Sequence, residues 1–207
     1  MTLRGALIVF EGCDRAGKTT QAKLLVEKLK KIGHDALYMN FPNRKSDSGK
    51  LIDAYLQSKR NFTDQGIHLL FSLNRWEAKQ EMEDLLLNGT TLIVDRYSYS
   101  GVAFSAAKGL DFQFCKGPEA GLIKPDLVMY LNLTTEELQK RGGFGNERYE
   151  IPVFQKRVGE IYQQLFDQKY WKEIDAGVSE EKLHSKLTEL AVNTIKSIQN
   201  KPLTQLW

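Results

Sequence analysis

The sequence predicts one α/β domain in which a parallel β-sheet lies between layers of helices. Short apolar runs of strand length alternate along the chain with longer segments whose apolar residues recur at helical spacing. A glycine-rich motif stands between the first of these runs and the first helical segment. The length of 207 residues suits a single domain with a full-sized core, and we assign residues 1–207 to it.

The glycine-rich motif indicates the kind of α/β fold. Residues 12–19 read Gly-Cys-Asp-Arg-Ala-Gly-Lys-Thr, which fits the pattern G-x-x-x-x-G-K-[ST] of a phosphate-binding loop. The glycines let backbone amides approach phosphate oxygens, Lys18 reaches the β- and γ-phosphates, and the Thr19 hydroxyl binds Mg²⁺. The apolar run 6–10 precedes the loop, and a helical pattern that ends near Gly33 follows it. This order of strand, loop and helix predicts a P-loop NTPase.

The elements of the N-terminal half follow from apolar patterns and their stop signals. Pro42 ends the second strand, and Asp95 is the last residue of the third. Thr63 or Asp64 caps a long helix, for which we allow a break, and Asn88-Gly89 ends it. The predicted strands are 36–41 and 91–95, and the predicted helices are 49–58 and 63–87.

The C-terminal half continues the alternation around one glycine-rich interruption. Thr134 and Glu137 form a capping box that opens a short helix to about residue 141. The segment 142–148 cannot hold a regular element and is predicted to be a mobile loop, and 109–125 is irregular with one short helix. Five strands in all predict a parallel sheet with helices on both faces. The other elements are helix 101–108, strand 127–131, helix 153–169, strand 171–174 and helix 179–198.

Charged residues gather where such a sheet binds its ligands, at the carboxyl ends of the strands. Asp95 has the form of a Walker B carboxylate that holds Mg²⁺, although a strand-ending aspartate also caps helices. Arg96 follows it, Arg44 lies just past the second strand, and Arg75 shares a helix face with Phe71. One arginine alone is often a solvated charge. Three of them predict a second anionic group beside the nucleotide, because guanidinium groups match phosphate oxygens two at a time.

Five segments resemble the thymidylate kinase family, whose members phosphorylate dTMP with ATP. The most specific are Asp-Arg-Tyr at 95–97 with Ser-Gly-Val-Ala-Phe at 100–104, and Phe-x-x-x-Arg-Trp at 71–76. The match is closest to the eukaryotic form, which carries an arginine inside the phosphate loop, here Arg15, while Cys13 is a mild departure. The resemblance covers nearly the whole chain. The five segments are 10–20, 41–44, 69–76, 95–104 and 141–150.

The resemblance implies how the acceptor dTMP is bound. Arg44 and Arg96 would hold its phosphate. Phe71 would stack on thymine while Arg75 bonds the carbonyl edge of the base. The implied dTMP-binding residues are Asp14, Phe41, Arg44, Phe71, Arg75, Arg96, Tyr97, Ser100, Gly101, Phe104 and Tyr149.

The resemblance also implies sites for the sugar, for ATP and for the metal. Asp14 would bind the 3′-hydroxyl, and Tyr97 would crowd the 2′ position and so reject ribonucleotides. Arg15 would contact the transferring phosphoryl group, and a lid at about 134–150 would close over ATP with Arg141 against the adenine. The implied ATP-binding residues are Arg15, Ala16, Gly17, Lys18, Thr19, Thr20 and Arg141. The implied catalytic residues are Arg15, Lys18, Asp95 and Arg96, and Thr19 and Asp95 would hold Mg²⁺.

Two other functions remain open at this point. A deoxynucleoside kinase would need a carboxylate base near the end of the second strand, where residues 41–44 offer a cation and no acid. A nucleotide-dependent switch without a small-molecule acceptor, such as a GTPase, would carry Asn-Lys-x-Asp, and residues 200–203 lack the aspartate.

Composition bounds the partners and the compartment. Lys and Arg number 29 against 26 Asp and Glu, and a net charge of +3 is too weak to argue for a nucleic-acid partner. No apolar run has the form of a signal peptide or the length of a membrane span, so we predict no membrane partner. The two cysteines indicate a reducing compartment. We therefore predict a cytoplasmic protein, with a nuclear or mitochondrial fraction left open; the family implies a homodimer.

Overall fold

The computed structural model describes residues 3–133 and 147–207, and in them the predicted α/β fold is confirmed. The strands form a five-stranded sheet in the order β2-β3-β1-β4-β5, in which every neighbouring pair is parallel. The strands are β1 (Leu7–Glu11), β2 (Ala36–Asn40), β3 (Thr91–Asp95), β4 (Leu127–Asn132) and β5 (Trp171–Asp175).

The central strands form from apolar runs because both of their faces are covered. Successive side chains of a strand point to opposite faces, so one run supplies two cores. Leu7 and Val9 of β1 pack into the core on one side of the sheet, and Ile8 and Phe10 pack into the core on the other. The edge strand β2 is only partly buried.

Helices lie on both faces of the sheet, as predicted. Side chains of the first and last helices, such as Leu25 and Leu187, share one core, and those of other helices, such as Met82 and Val158, join the opposite core. The helices are α1 (Lys18–Lys31), α2 (Asp47–Leu56), α3 (Asp64–Trp76), α4 (Lys79–Leu87), α5 (Ser98–Ala107), α6 (Phe112–Lys116), α7 (Pro152–Leu165) and α8 (Glu180–Ile198), with a 3₁₀ helix at Gly117–Glu119.

Several boundaries differ from the predictions for local reasons. The helix α2 begins at Asp47, because the Ser46 side chain accepts a hydrogen bond from the Gly49 amide as its N-cap. The long helical pattern is divided into α3 and α4 at residues 77–78. The helix α7 ends at Leu165, because Phe166 has an extended backbone. The predicted helix at 134–141 and most of the glycine-rich loop lie outside the described residues.

Two boundaries bear on the site. The helix α5 begins at Ser98, three residues earlier than predicted, so that its first turn includes the Ser-Gly pair of the Asp-Arg-Tyr segment. The strand β2 ends at Asn40, and the chain then turns at a cis Phe41–Pro42 peptide bond. In the part of the chain that the structure describes, no helix combines the length and apolar character of a membrane span.

Candidate active site

One cavity of about 800 Å³ opens at the carboxyl ends of β1, β2 and β3. It brings together almost all of the residues that the sequence singled out. Ala16 is buried within the phosphate loop and is not in the lining, and Arg141 lies outside the described residues. The predicted residues that line the cavity are Asp14, Arg15, Gly17, Lys18, Thr19, Thr20, Phe41, Arg44, Phe71, Arg75, Asp95, Arg96, Tyr97, Ser100, Gly101, Phe104 and Tyr149.

The phosphate-binding loop connects β1 to α1 at one end of this cavity. Gly12 has a φ of 133°, and a Cβ on it would overlap the carbonyl oxygen of Leu131 on the neighbouring strand β4. Gly17 adopts the left-handed conformation at the N-cap of α1, so the helix begins at Lys18 with its free amides facing the cavity. The sequence therefore builds an anion site from the N-terminus of α1.

Lys18 is held inside the loop. Its Nζ donates a hydrogen bond of 2.7 Å to the carbonyl oxygen of Cys13. Burial lowers the pKa of the Lys18 amine to about 8, and the charge of Arg96 acts in the same direction, whereas Asp14 and Asp95 oppose it. The amine is thus a desolvated cation at the point where a nucleotide's phosphates would meet the loop.

Thr19 and Asp95, the two residues predicted to hold Mg²⁺, meet beside the loop. The Thr19 hydroxyl donates a hydrogen bond to Oδ2 of Asp95, and the Tyr38 hydroxyl lies 3.4 Å from the same oxygen. Burial and the Asp95 charge raise the pKa of Tyr38. Hydroxyl and carboxylate oxygens are hard ligands that fit Mg²⁺, which binds few protein groups and keeps water and phosphate ligands. Among the described residues, no cluster of three His, Cys, Asp or Glu side chains offers an all-protein metal site.

Arg96 and Asp14 form the ion pair between the loop and the acceptor side of the cavity. Arg96 Nη2 lies 2.6 Å from Oδ1 of Asp14, and its Nη1 donates a 2.9 Å hydrogen bond to the Ser100 hydroxyl. Burial alone would raise the pKa of Asp14. The charges of Arg96 and Lys18 outweigh burial and hold the pKa of Asp14 below its usual range.

The other three arginines of the cavity are also paired with carboxylates. Arg15 lies 3.2 Å from Glu150, and the guanidinium of Arg44 bridges Asp53 at 2.5 Å and Glu147 at 2.7 Å. Arg75 is paired with Glu119 in the interior. The cations that could bind phosphates or a base are therefore compensated before any ligand is present. The carboxylates in these pairs are Glu119, Glu147, Glu150 and Asp53.

Glu11, the last residue of β1, is a site residue that sequence reasoning missed. Its Oε1 accepts hydrogen bonds from the backbone amides of Tyr97 at 2.9 Å and Ser100 at 3.1 Å. Its Oε2 accepts from the hydroxyls of Ser100 at 2.6 Å and Tyr162 at 2.7 Å. Burial raises the pKa of this carboxyl. The signal was an acidic residue at the end of a fully buried apolar strand.

Gln155 of α7 was missed as well. Its Nε2 donates to Oδ2 of Asp14 at 2.7 Å and to the carbonyl oxygen of Tyr149 at 2.9 Å. Its Oε1 accepts from the Asp14 amide at 3.1 Å. These contacts join the phosphate loop to residues 147–150, and no local pattern could have indicated them.

The side of the cavity formed by α3 and α5 suits a planar ligand. Phe71 and Arg75 lie four residues apart on α3 and both line the cavity. Tyr97 also lines the cavity, and its ring packs in the core 5.8 Å from the ring of Phe41. An aromatic ring and a guanidinium on one helix face can contact the face and the edge of one base.

Comparison with known proteins agrees with this arrangement. The family model described as Thymidylate kinase matches residues 10–187. A thymidylate kinase of Arabidopsis thaliana is 50% identical over 99% of this chain and 78% of its own length. That of Homo sapiens is 47% identical over 99% of this chain and 98% of its own length. The solved thymidylate kinase of Candida albicans superposes with a TM-score of 0.90 at 36% identity, with both chains covered completely.

A family match over most of the chain, relatives near half identity and a full-length structural superposition all point the same way. They agree with the P-loop, the strand-ending aspartate and the arginine-lined cavity described above. The chain belongs to the thymidylate kinase family of phosphotransferases.

Proposed function

We propose that this protein transfers the γ-phosphoryl group of ATP to dTMP, which yields ADP and dTDP on the route to dTTP. The observation that carries this proposal is one cavity with a phosphate loop at one end and Arg44 and Arg96 beyond it. Two anionic substrates can therefore meet within a single site. Family membership supports the identity of both substrates.

On the side of the cavity that would bind ATP, residues of the chain compensate the negative charge of the phosphates. The loop amides and Lys18 would hold the β- and γ-phosphates of ATP, and Arg15 would contact the oxygens of the transferring group. Charge that develops on those oxygens is stabilised strongly in a site from which water is excluded. Lys18 already occupies such a desolvated position.

Alignment is the contribution on the acceptor side. Arg44 and Arg96 would hold the dTMP phosphate with one oxygen directed at the donor. That oxygen is deprotonated at neutral pH, so the reaction needs no general base. Asp14, which is fixed by Arg96 and Gln155, would receive the 3′-hydroxyl of the sugar.

Mg²⁺ is the metal that we propose for the reaction. Thr19 and Asp95 would hold it, directly or through water, because their oxygens are hard ligands placed side by side. When bound, the ion neutralises charge on the β- and γ-phosphates. The remaining coordination would come from phosphate oxygens and water.

The test is an assay of ADP release with dTMP, with thymidine and with no acceptor. We expect ADP release only with dTMP, and only when Mg²⁺ is supplied. Release with thymidine in place of dTMP would identify a deoxynucleoside kinase, and equal release without acceptor would identify a nucleotide hydrolase or switch. Lys31→Ala, at an exposed position at the end of α1, serves as the active control.

We further propose that the protein is a homodimer that associates through α3. Leu69, Leu73 and Trp76 lie along one stripe of this helix and are 47%, 49% and 38% exposed. Exposed apolar stripes of this kind mark protein–protein interfaces. Leu73→Glu should yield monomers in sedimentation analysis. Leu87→Glu, which replaces an exposed leucine of α4 away from the stripe, should leave the dimer intact.

The proposed location is the cytoplasm, with a nuclear or mitochondrial fraction left open. Fractionation of cells that produce the protein, with activity measured in each fraction, tests this location.

A further inference from the structure

The guanidinium of Arg75 is bound on one side by the carboxylate of Glu119. Nε of Arg75 donates to Oε2 of Glu119 at 2.8 Å, and Nη2 donates to Oε1, so the pair is bidentate. The two side chains are only 3% and 0% exposed. Arg75 nevertheless lines the active-site cavity, whereas Glu119 lies behind it in the interior.

The element that carries Glu119 is itself fastened to α3. Glu119 is the last residue of the 3₁₀ helix at Gly117–Glu119. The carbonyl oxygen of Pro118 accepts hydrogen bonds from the Ser72 hydroxyl at 2.9 Å and from Nε1 of Trp76 at 2.7 Å. A shift of Glu119 relative to Arg75 would therefore break the hydrogen bonds between its own carboxylate and Arg75. It would also strain those between α3 and the carbonyl oxygen of Pro118.

The guanidinium also lies against Gly101 of α5. A Cβ built on Gly101 would overlap Nη2 of Arg75. The guanidinium thus occupies a slot between the backbone of α5 and the carboxylate of Glu119. Its plane and its direction are set by these two neighbours.

The hydrogen-bond count shows what the slot leaves available. A guanidinium has five N–H groups and no acceptor, and Glu119 takes one from Nε and one from Nη2. The three N–H groups that remain make no hydrogen bond to another described residue, and since Arg75 lines the cavity they are available to an acceptor atom of a ligand. A neutral base cannot compensate a buried cation, so the compensation has to come from the protein, and Glu119 supplies it.

We propose that Glu119 is a positioning residue that makes Arg75 a fixed, charge-compensated donor and thereby selects acceptor bases that carry a carbonyl group at the contacted ring position. A base with an amino group there would set donor against donor. This inference rests on the proposed function, since it takes a pyrimidine monophosphate as the acceptor. It assigns base selection to a pair of residues on different elements and not to Arg75 alone.

The test compares dTMP with dCMP. The base of dCMP carries an amino group at ring position 4, where thymine carries a carbonyl group. For Glu119→Gln we expect kcat/KM for dTMP to fall by about tenfold or more, mainly through KM, and the dTMP-to-dCMP ratio to fall with it. KM for ATP and kcat at saturating dTMP should stay within about twofold of the unmodified protein. Glu83→Gln is the matched control, because it breaks the half-buried pair with Lys79 at 3.1 Å on α4, and neither residue lines the cavity.

A purely structural role gives a different result. If Glu119→Gln lowers the efficiencies for dTMP and dCMP by the same factor, or changes neither, the inference is wrong. Should that variant not fold, Glu119→Asp is measured, which keeps the charge but withdraws the carboxylate, and its selectivity ratio should fall by about threefold. An unchanged ratio in a folded Glu119→Asp overturns the inference as well.

The same data separate this inference from the proposed function. An unmodified protein that does not phosphorylate dTMP contradicts the proposed function whatever the variants do. An unmodified protein that prefers dTMP, with variants of unchanged selectivity, contradicts only the role of Glu119.

Discussion

Lys18 carries its charge in surroundings that disfavour it. Burial lowers the pKa of its amine to about 8, and the amine donates a hydrogen bond of 2.7 Å to the carbonyl oxygen of Cys13. The nucleotide phosphates that the loop is proposed to bind require the charged amine. In the unliganded site the Lys18 amine is therefore only partly protonated near pH 8. At alkaline pH the binding of ATP must include the uptake of a proton by this amine.

We expect the dissociation constant for ATP to be level below pH 8 and to rise above it. Lys18 is charged below its pKa of about 8, and above that pH binding must also take up a proton. The loss of affinity should approach about tenfold per pH unit. Titration of nucleotide binding on both sides of pH 8 checks this. Lys18→Ala should bind weakly with no such break, and a level profile through alkaline pH in the unmodified protein would contradict the assignment.

Arg15 should contribute to the transition state more than to binding. It lies inside the phosphate loop with a φ of 66° and pairs with Glu150. We expect Arg15→Gln to lower kcat by roughly 10³-fold, as for an arginine finger, with little change in the dissociation constants of ATP and dTMP. Single-turnover kinetics with nucleotide binding measured separately test this, with Arg157→Gln on exposed α7 surface as control. A weaker ATP affinity with an unaltered kcat would contradict a role of Arg15 in the transition state.

At the scale of elements, the N-terminus of α5 is capped by a side chain of the strand β1. Tyr97 is the N-cap residue of α5, but its side chain makes no capping hydrogen bond. Instead, the carboxylate of Glu11 in β1 accepts hydrogen bonds from the backbone amides of Tyr97 and Ser100. The Ser100 hydroxyl then links Glu11 to Arg96. The geometry of the acceptor site therefore depends on a buried carboxylate that does not line the cavity.

We expect Glu11→Gln to disorder this junction. The amide cannot accept all four hydrogen bonds, and each buried group left unsatisfied costs roughly 1–3 kcal/mol. The free energy of unfolding should fall by at least about that amount, and KM for dTMP should rise more than KM for ATP. Denaturant unfolding and steady-state kinetics measure the two effects. Glu173→Gln, on exposed β5 surface, is the control, and an unchanged KM for dTMP in Glu11→Gln would remove the positioning role.

This junction also shows how far the sequence could predict the molecule. The strands β1, β3 and β4 were recognised because a strand covered on both faces is a continuous apolar run, and the phosphate loop because its residues are contiguous. The early start of α5 was missed because its capping carboxylate comes from β1. The Arg75–Glu119 and Asp14–Gln155 contacts join residues far apart in the chain, and no local pattern encodes them.

For the whole molecule, base and sugar selection follow from how the elements close around one cavity. Phe71 and Arg75 come from α3 and Tyr97 from the segment after β3, and all three line it. We expect acceptor efficiency to decrease from dTMP to dUMP, with UMP and dAMP very poor. The thymine methyl should contribute only about 1–3 kcal/mol, and a 2′-hydroxyl should be penalised more heavily.

Steady-state efficiencies for the four monophosphates decide the order. The Glu83→Gln variant should give the same order of efficiencies for the four acceptors. It breaks only the ion pair of Glu83 with Lys79 on α4, and neither residue lines the cavity. If UMP or dAMP matches dTMP, the pocket belongs to another kind of nucleoside monophosphate kinase, and the assigned roles of Phe71, Arg75 and Tyr97 are wrong.

The ion pairs that Arg44 makes with Asp53 and Glu147 turn phosphate binding at this arginine into an exchange of anions. A phosphate that displaces Glu147 from Arg44 gains only the difference between its own contacts and those it breaks. A doubly charged phosphate monoester can make bidentate contacts that replace those of a carboxylate, which a monovalent ion such as chloride cannot do. We therefore expect occupancy of this position to depend on the valence of a competing anion more than on the total ionic strength.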